Sequence, residues 1–224
     1  MKIIARIHND FKEKFGIPRQ SGLTGQLRSR IVFEPEYRNP DAIRGIDGYS
    51  HLWLIWQFSK AQRDGWSPTV RPPRLGGNKR VGVFATRSPY RPNPIGLSSV
   101  RLEEIEVTDT EGAVLIVSGA DLLDGTPIYD IKPYLAYADS HPNAIGGFAD
   151  PVRDYTLKVD FCKELLSKID NSKQNSLIKI LSQDPRPSYQ NDPEREYGMR
   201  FASYEIFFKV DGDTLTVTRV ETTK

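Results

Sequence analysis

The run YSHLWLIWQFS (Tyr49–Ser59) is the most apolar and aromatic stretch of the chain. It is strand-length and bounded by Gly48 and the polar KAQRDG, which predicts a central buried strand. His51 at its start reads as a structural histidine, because no second His or Cys stands nearby to build a metal site, and no metal is expected. Working outward, MKIIARIH (1–8) and Arg28–Tyr37 read as the first two strands. PDAIRGID (40–47) is a short helical turn opened by Pro40 and closed by Gly45. Arg80–Ser88 reads as a further strand entering a proline-rich turn, and Leu97–Val107 with Ala113–Ser118 as a long hairpin around TDTEG. The expected fold class is mainly β.

The character changes after Asp150. Phe161, Leu165 and Ile169 fall at i, i+4 and i+8, and Leu177 and Leu181 repeat that spacing, predicting two short amphipathic helices. A proline-rich connector, DPRPSYQNDPEREYGM (184–199), leads to a terminal hairpin of Ser203–Val210 and Thr214–Val220. The chain therefore divides into an all-β body, 1–150, and a small α+β appendage, 151–224. With 224 residues and 38% hydrophobic content it can bury a core of that size. The lone Cys162 excludes an intramolecular disulfide and fits a reducing compartment. No apolar run approaches the roughly 18–20 residues that span a bilayer. A soluble, cytoplasmic protein without membrane contact is expected.

Charge is distributed unevenly. Between Gly65 and Leu102 stand seven basic residues (Arg71, Arg74, Lys79, Arg80, Arg87, Arg91, Arg101), six prolines and no Asp or Glu. Prolines fix φ, so this is a stiff loop rather than a regular element. A stiff arginine-rich loop suits a preformed surface for a polyanion or several anionic groups. The stretch Gly119–Ser140 carries Asp121, Asp124, Asp130 and Asp139 among turn residues. These aspartates read either as Asx-turn residues or as the acidic counterpart of the arginine loop. No G-x-G, P-loop, HExxH or G-x-S-x-G occurs, so the common nucleotide, protease and hydrolase signatures are absent. Composition leads as far as a binder of nucleotide or RNA.

The runs FKEKFGIPRQ (11–20), DGYSHLWLIWQFS (47–59), RPPRLGGNKRVGVFATRSPYRPNPIGLS (71–98) and DLLDGTPIYDIKPYL (121–135) resemble the TsaA-like family, including its bacterial TrmO tRNA methyltransferases. SQDPRPSY (182–189) resembles the small carboxy-terminal domain of the longer members. The resemblance implies a single β-barrel that binds S-adenosylmethionine (SAM) as methyl donor and acts as a homodimer. The implied reaction is methylation of N6 of N6-threonylcarbamoyladenosine at position 37, in the anticodon loop of tRNA, with threonine-accepting tRNAs the suggested substrates. Two rival readings are a SAM- or nucleotide-binding regulator without turnover and an RNA-binding barrel without catalysis.

Carried over by motif, Pro18, Arg19 and Gln20 resemble donor contacts, with Arg19 matched to the methionine carboxylate. Ser59 and Lys60 resemble a second contact, although many relatives have His at the Ser59 position. Arg87, Leu97 and the group Asp121, Leu122, Leu123 and Asp124 complete the implied donor site. The acceptor N6 belongs to a urea and must lose its proton, so a base or an oxyanion stabiliser is expected. The candidates are Asp124, Asp130 and Tyr134 as base, with Lys132 or Arg91 at the carbonyl oxygen. Arg71, Arg74, Asn78, Arg91 and Asn93 are the residues expected to meet RNA or the threonyl carboxylate. Arg186, Arg195 and Arg200 of the appendage lean toward tRNA.

Overall fold

In the computed structural model the aromatic run forms a strand, His51–Gln57, in which Leu52, Leu54 and Trp56 are buried while the residues between them are only half-buried. It pairs with a strand on each side, and it buries one face fully while Trp53 and Ile55 keep the other half-buried. The structure describes all residues except 19, 24–26, 61–64, 73–74, 76–78, 153, 187–189, 191 and 224. In chain order the first strands are β1 (Ala5–His8), β2 (Arg28–Phe33), β3 (His51–Gln57), β4 (Thr69–Val70) and β5 (Val81–Gly82). Then come β6 (Ile95–Thr108), β7 (Gly112–Ser118), β8 (Pro127–Pro133) and the one-turn helix α1 (Ala136–Asp139). The remainder is β9 (Lys158–Asp160), α2 (Lys163–Leu166), α3 (Asn171–Ser182), β10 (Tyr197–Phe201), β11 (Tyr204–Asp211) and β12 (Thr214–Thr222).

Six of these strands join in the order β1-β2-β7-β6-β3-β8, and β8 returns to β1 through Ala5↔Ile128 and Arg6↔Pro127 to make a closed barrel. Closure leaves no edge strand to pair with other chains. The interior holds Ile7, Ile31, Leu52, Leu54, Trp56, Leu115, Val117 and Ile128. Three sequence expectations change. The second strand stops at Phe33, because Pro35 cannot continue a ladder and opens a 3-10 turn, Pro35–Tyr37. The stretch Arg80–Ser88 is not one strand: only Val81–Gly82 pair, with β4, before a 3-10 turn at Val83–Ala85. Conversely TPIYDIKP, read among turn residues, forms β8, its two prolines confined to the strand's ends.

The carboxy-terminal strands form a second sheet, β10-β11-β12-β9, covered by α3 through Leu177, Ile180 and Leu181. Asp170 caps α3 by accepting the Ser172 N–H at 2.8 Å. This sheet's core is not closed by its own residues. Phe11 and Leu27, from the connection between β1 and β2, are buried in it, and Phe15 and Ile17 pack against it. Arg186 also lies inside this domain, 7% exposed, with Nε and Nη2 donating to Asp184 at 2.9 and 3.2 Å. It is a structural ion pair, not one of the outward arginines anticipated for tRNA. No helix among the described residues is long and apolar enough to cross a membrane.

Candidate functional site

The connection from β1 to β2 is clasped to the turn that follows β7. Asn9 gives its N–H to Asp124 Oδ1 at 2.9 Å and its side-chain amide to the Leu122 carbonyl at 2.8 Å. Lys12 Nζ reaches Asp124 Oδ2 at 2.8 Å, and the Asp124 N–H donates to the Phe11 carbonyl at 2.8 Å. Further along, Gly22 N–H donates to the Gly119 carbonyl at 2.8 Å. Burial pushes the Asp124 carboxyl up, but the bond from Lys12, the Asn9 N–H and the charges of Lys12 and His8 outweigh it and hold it below its ordinary value. With one oxygen taken by the Asn9 N–H and the other by Lys12, the geometry suits Asp124 to closing the loop.

Asp124→Asn is therefore expected to lower stability by about 1 kcal/mol at neutral pH, the scale of one charge-assisted bond. Because the native pKa is depressed, the contribution is full above the ordinary value of 3.8 and disappears as pH falls through the native value. Thermal melts of both proteins across acid and neutral pH check this: the two curves lie furthest apart at pH 7 and draw together as pH falls below 3.8.

A polar node lies beside the clasp. Trp56, on the inward face of β3, donates Nε1–H to Ser98 Oγ at 2.9 Å, and Ser98 donates to Asp121 Oδ1 at 2.5 Å. Burial drives the Asp121 carboxyl above its ordinary pKa, against the bond from Ser98 and the charge of Arg87. Arg87 in turn gives Nη1–H to Gln20 Oε1 at 2.6 Å. Gln20, Arg87 and Asp121, from three separate stretches of sequence, thus meet with Ser98 at one rim of the barrel. Pro18 is buried beside the exposed Gln20, and the Lys60 carbonyl accepts from Lys14 Nζ, tying the end of β3 to the same loop. Ser59 and Lys60 are exposed there. The Leu122 side chain belongs to the barrel core, so only its backbone faces this region; Leu123 is half-buried.

The remaining candidates occupy another face. Register pairs Ile55 with both Leu97 and Asp130, and Trp53 with both Ser99 and Lys132. Side chains directly opposite share a face, so Leu97, Asp130 and Lys132 stand outside the barrel while Ser98 points in. Asp130 and Lys132 form an exposed ion pair at 2.8 Å, and Tyr134 packs on Trp53 with ring centroids 5.4 Å apart. Asp139 accepts from Trp53 Nε1 and the Leu135 N–H. Among the described residues, Asp121 alone of the four aspartates between 119 and 140 meets the arginine-rich loop; Asp124, Asp130 and Asp139 are engaged by other groups. Arg71 and Asn93 are exposed, and Arg91 donates to the Thr86 carbonyl at 3.0 Å within its own loop. Arg19, Arg74 and Asn78 lie outside the described residues.

Sequence reasoning missed Trp56, Ser98, Asn9 and Lys12. A serine in line with Gly96 and Val100 on the inward face of β6 was the available signal for Ser98, since a buried hydroxyl needs a partner. The pairing of Asn9 with Asp124 crosses 115 residues and leaves no local trace.

Comparison with known proteins places the chain in a family. Residues 6–140 match the tRNA-methyltransferase O N-terminal domain, and residues 154–223 match the TrmO C-terminal domain. A tRNA (adenine(37)-N6)-methyltransferase of Escherichia coli (strain K12) is 41% identical over 215 residues, covering 92% of this chain and 91% of that protein. A putative S-adenosylmethionine-dependent methyltransferase, RcsF of Pseudomonas aeruginosa, is 41% identical over 211 residues, covering 91% and 89%. The crystal structure of TrmO from P. aeruginosa superimposes with a TM-score of 0.79 at 34% identity, over 98% of this chain and 95% of that one. With both domains matched in order and relatives similar along nearly their whole length, the chain belongs to the tRNA-methyltransferase O family.

Proposed function

We propose that this protein is a SAM-dependent methyltransferase acting on N6 of adenosine 37 in tRNA, with N6-threonylcarbamoyladenosine as the acceptor nucleoside. The names of the relatives support the donor and the target position. The observation that carries the reading is the node of Gln20, Arg87, Ser98 and Asp121 under the clasped loop. Its donor set fits SAM: a cationic guanidinium for the methionine carboxylate, and a half-buried carboxylate for the amine or ribose hydroxyls. Pro18, Arg19, Gln20, Ser59, Lys60, Arg87, Leu97 and the Asp121–Asp124 turn would hold the donor. Residues 1–150 act as the catalytic domain and 151–224 as an accessory domain, in a cytoplasmic homodimer. The dimer accounts for Leu97, Asp130, Lys132 and Tyr134, whose outer face serves the partner's site rather than the node of its own protomer.

When bound, SAM supplies an electrophilic methyl group. The protein's task is then to orient the acceptor nitrogen, exclude water and remove its proton. Asp130 or Tyr134 takes that proton, and Lys132 or Arg91 steadies the charge that develops on the urea oxygen. Arg71, Arg74, Asn78, Arg91 and Asn93 meet RNA phosphates and the threonyl carboxylate. An RNA barrel without cofactor leaves the carboxylate node without a use, whereas a SAM-binding regulator without turnover would share the node and differs only in transferring no methyl group.

Two measurements test the reading. Nucleosides from tRNA that carries the threonylcarbamoyl group but lacks the methyl gain one methyl mass on treatment with protein and SAM; no gain in mass sinks the proposal. Arg87→Ala is expected to weaken SAM binding about tenfold by calorimetry, the scale of one lost charge-assisted contact. Unchanged affinity would remove Arg87 from the donor site.

A further inference from the structure

We propose that Met199, Phe201 and Phe208 of the carboxy-terminal sheet are positioning residues of the donor site, holding the loop that carries Pro18 and Gln20. The inference rests on the donor-site reading above and gives the accessory domain a defined task in it.

The loop leaves β1 with its first residues clasped to the barrel, and it rejoins the barrel at Gly22. Between those points the loop reaches the barrel through Lys12 on Asp124, Lys14 on the Lys60 carbonyl and the Ser21 N–H on the Asp121 carboxylate. The apolar side chains of the span are seated in the other sheet. Phe11 meets Phe201 with ring centroids 6.4 Å apart, and Phe15 stacks on Phe208 at 6.4 Å and 10°. Gly16 holds φ +87, and a Cβ built there would lie 2.2 Å from Met199 Sδ, so the methionine fills the space over the glycine. Polar ties follow the same seam. Ala202 gives its N–H to the Asp10 carbonyl at 3.0 Å, Arg200 gives its N–H to Glu13 Oε1 at 2.8 Å, and Lys173 pairs with Asp10. Ala202 keeps φ +54, an unfavourable conformation for a residue with a Cβ, while making its bond. Ile17 packs against the same core, and Pro18 and Gln20 follow it within one short stretch. Gln20 then meets Arg87 at 2.6 Å. A contact of that length leaves little tolerance, and a shift of about 1 Å in a positioning element is enough to lose much of a site's function.

The test uses full-length protein. Met199→Ala vacates the space over Gly16, Met199→Leu refills most of it, and Lys173→Gln cuts the rim tie without hollowing the core. Circular dichroism first establishes that each variant is folded. Calorimetry with SAM, hydrogen exchange of residues 11–22 in ligand-free protein, and separate KM values for SAM and tRNA are then compared. Met199→Ala is expected to raise the SAM Kd about tenfold and speed exchange in 11–22, leaving the KM for tRNA within about twofold. Met199→Leu is expected to restore both, and Lys173→Gln to raise the Kd about threefold. If Met199→Ala and Lys173→Gln bind SAM like the parent while Gln20→Ala loses affinity, the positioning role is overturned and the donor site stands. If Gln20→Ala also binds like the parent, the donor-site reading itself fails. A raised KM for tRNA with unchanged SAM affinity makes the domain an RNA grip and overturns the inference as well.

Discussion

Asp121→Asn is expected to reduce methyl transfer about a hundredfold while raising the melting temperature at neutral pH. The activity loss follows from the position of the carboxylate. It accepts from Ser98, which is fixed by Trp56, and it lies within reach of the Arg87 charge at the rim where Gln20 arrives. An amide of the same shape keeps the bond from Ser98 but no longer offers a negative charge to a cationic amine. The gain in stability follows from burial. Below the ordinary value of 3.8 the carboxyl is neutral in both folded and unfolded chains, so its burial carries no charge penalty. As pH rises through 3.8 toward the raised native value, the unfolded chain ionises more readily than the folded one, and stability falls. Asparagine does not titrate, so the variant's advantage is absent at acid pH and full above the native pKa. Melts across pH 3–8, paired with single-turnover methylation, check both halves. A variant that loses activity and stability together at pH 7 would reduce Asp121 to a structural group.

Gly96→Ala is expected to destabilise the protein by about 1–3 kcal/mol, the usual scale of an overpacked core, and to weaken the donor site with it. Gly96 pairs directly with Trp56 across β3 and β6. A Cβ there would sit 2.2 Å from Trp56 Cε2 and 2.4 Å from Cζ2. The indole is rigid, 6% exposed and backed by Phe58 with ring centroids 4.3 Å apart, so it has no easy retreat. Moving it breaks the Nε1–H bond to Ser98 and releases the hydroxyl that steadies Asp121. Trp56→Phe in the same background makes room but removes the N–H donor. The double variant should recover most of the melting temperature and little of the SAM affinity, and a thermodynamic cycle over the four proteins separates the two effects. Full recovery of affinity would detach Trp56 from the site.

The parts of this fold that were legible in the sequence are those with local periodicity. The aromatic run at 49–59, the hairpin at 97–118 and the helix at 171–182 announce themselves by alternation or by i, i+4 spacing. β8 was hidden because its Pro127 and Pro133 imitate turn punctuation, although at strand ends they do no harm to the ladder. The site divides the same way. Arg87, Gln20 and Asp121 were recognisable by motif, whereas no local pattern marks that Asp130 and Lys132 stand on the outer face and Asp121 at the inner rim. That distinction depends on strand register, which long-range pairing sets. The anchoring of Phe11 and Phe15 in the carboxy-terminal core was equally invisible, because nothing near residues 11–15 marks a partner near residue 200.

That last arrangement has a consequence for synthesis. Glu13 and its partner Arg200 are separated by 187 residues, so the loop emerges from the ribosome long before the sheet that seats it. At roughly 5–20 residues per second the interval is roughly 10–40 s. The barrel strands can pair during that time, but Phe11, Phe15 and Leu27 wait exposed until β10 and β11 are made. If those contacts seat the loop as proposed above, a nascent chain halted after the barrel would be folded in its sheet and would grip its methyl donor only weakly, so full donor affinity would follow the order in which the contacts can form.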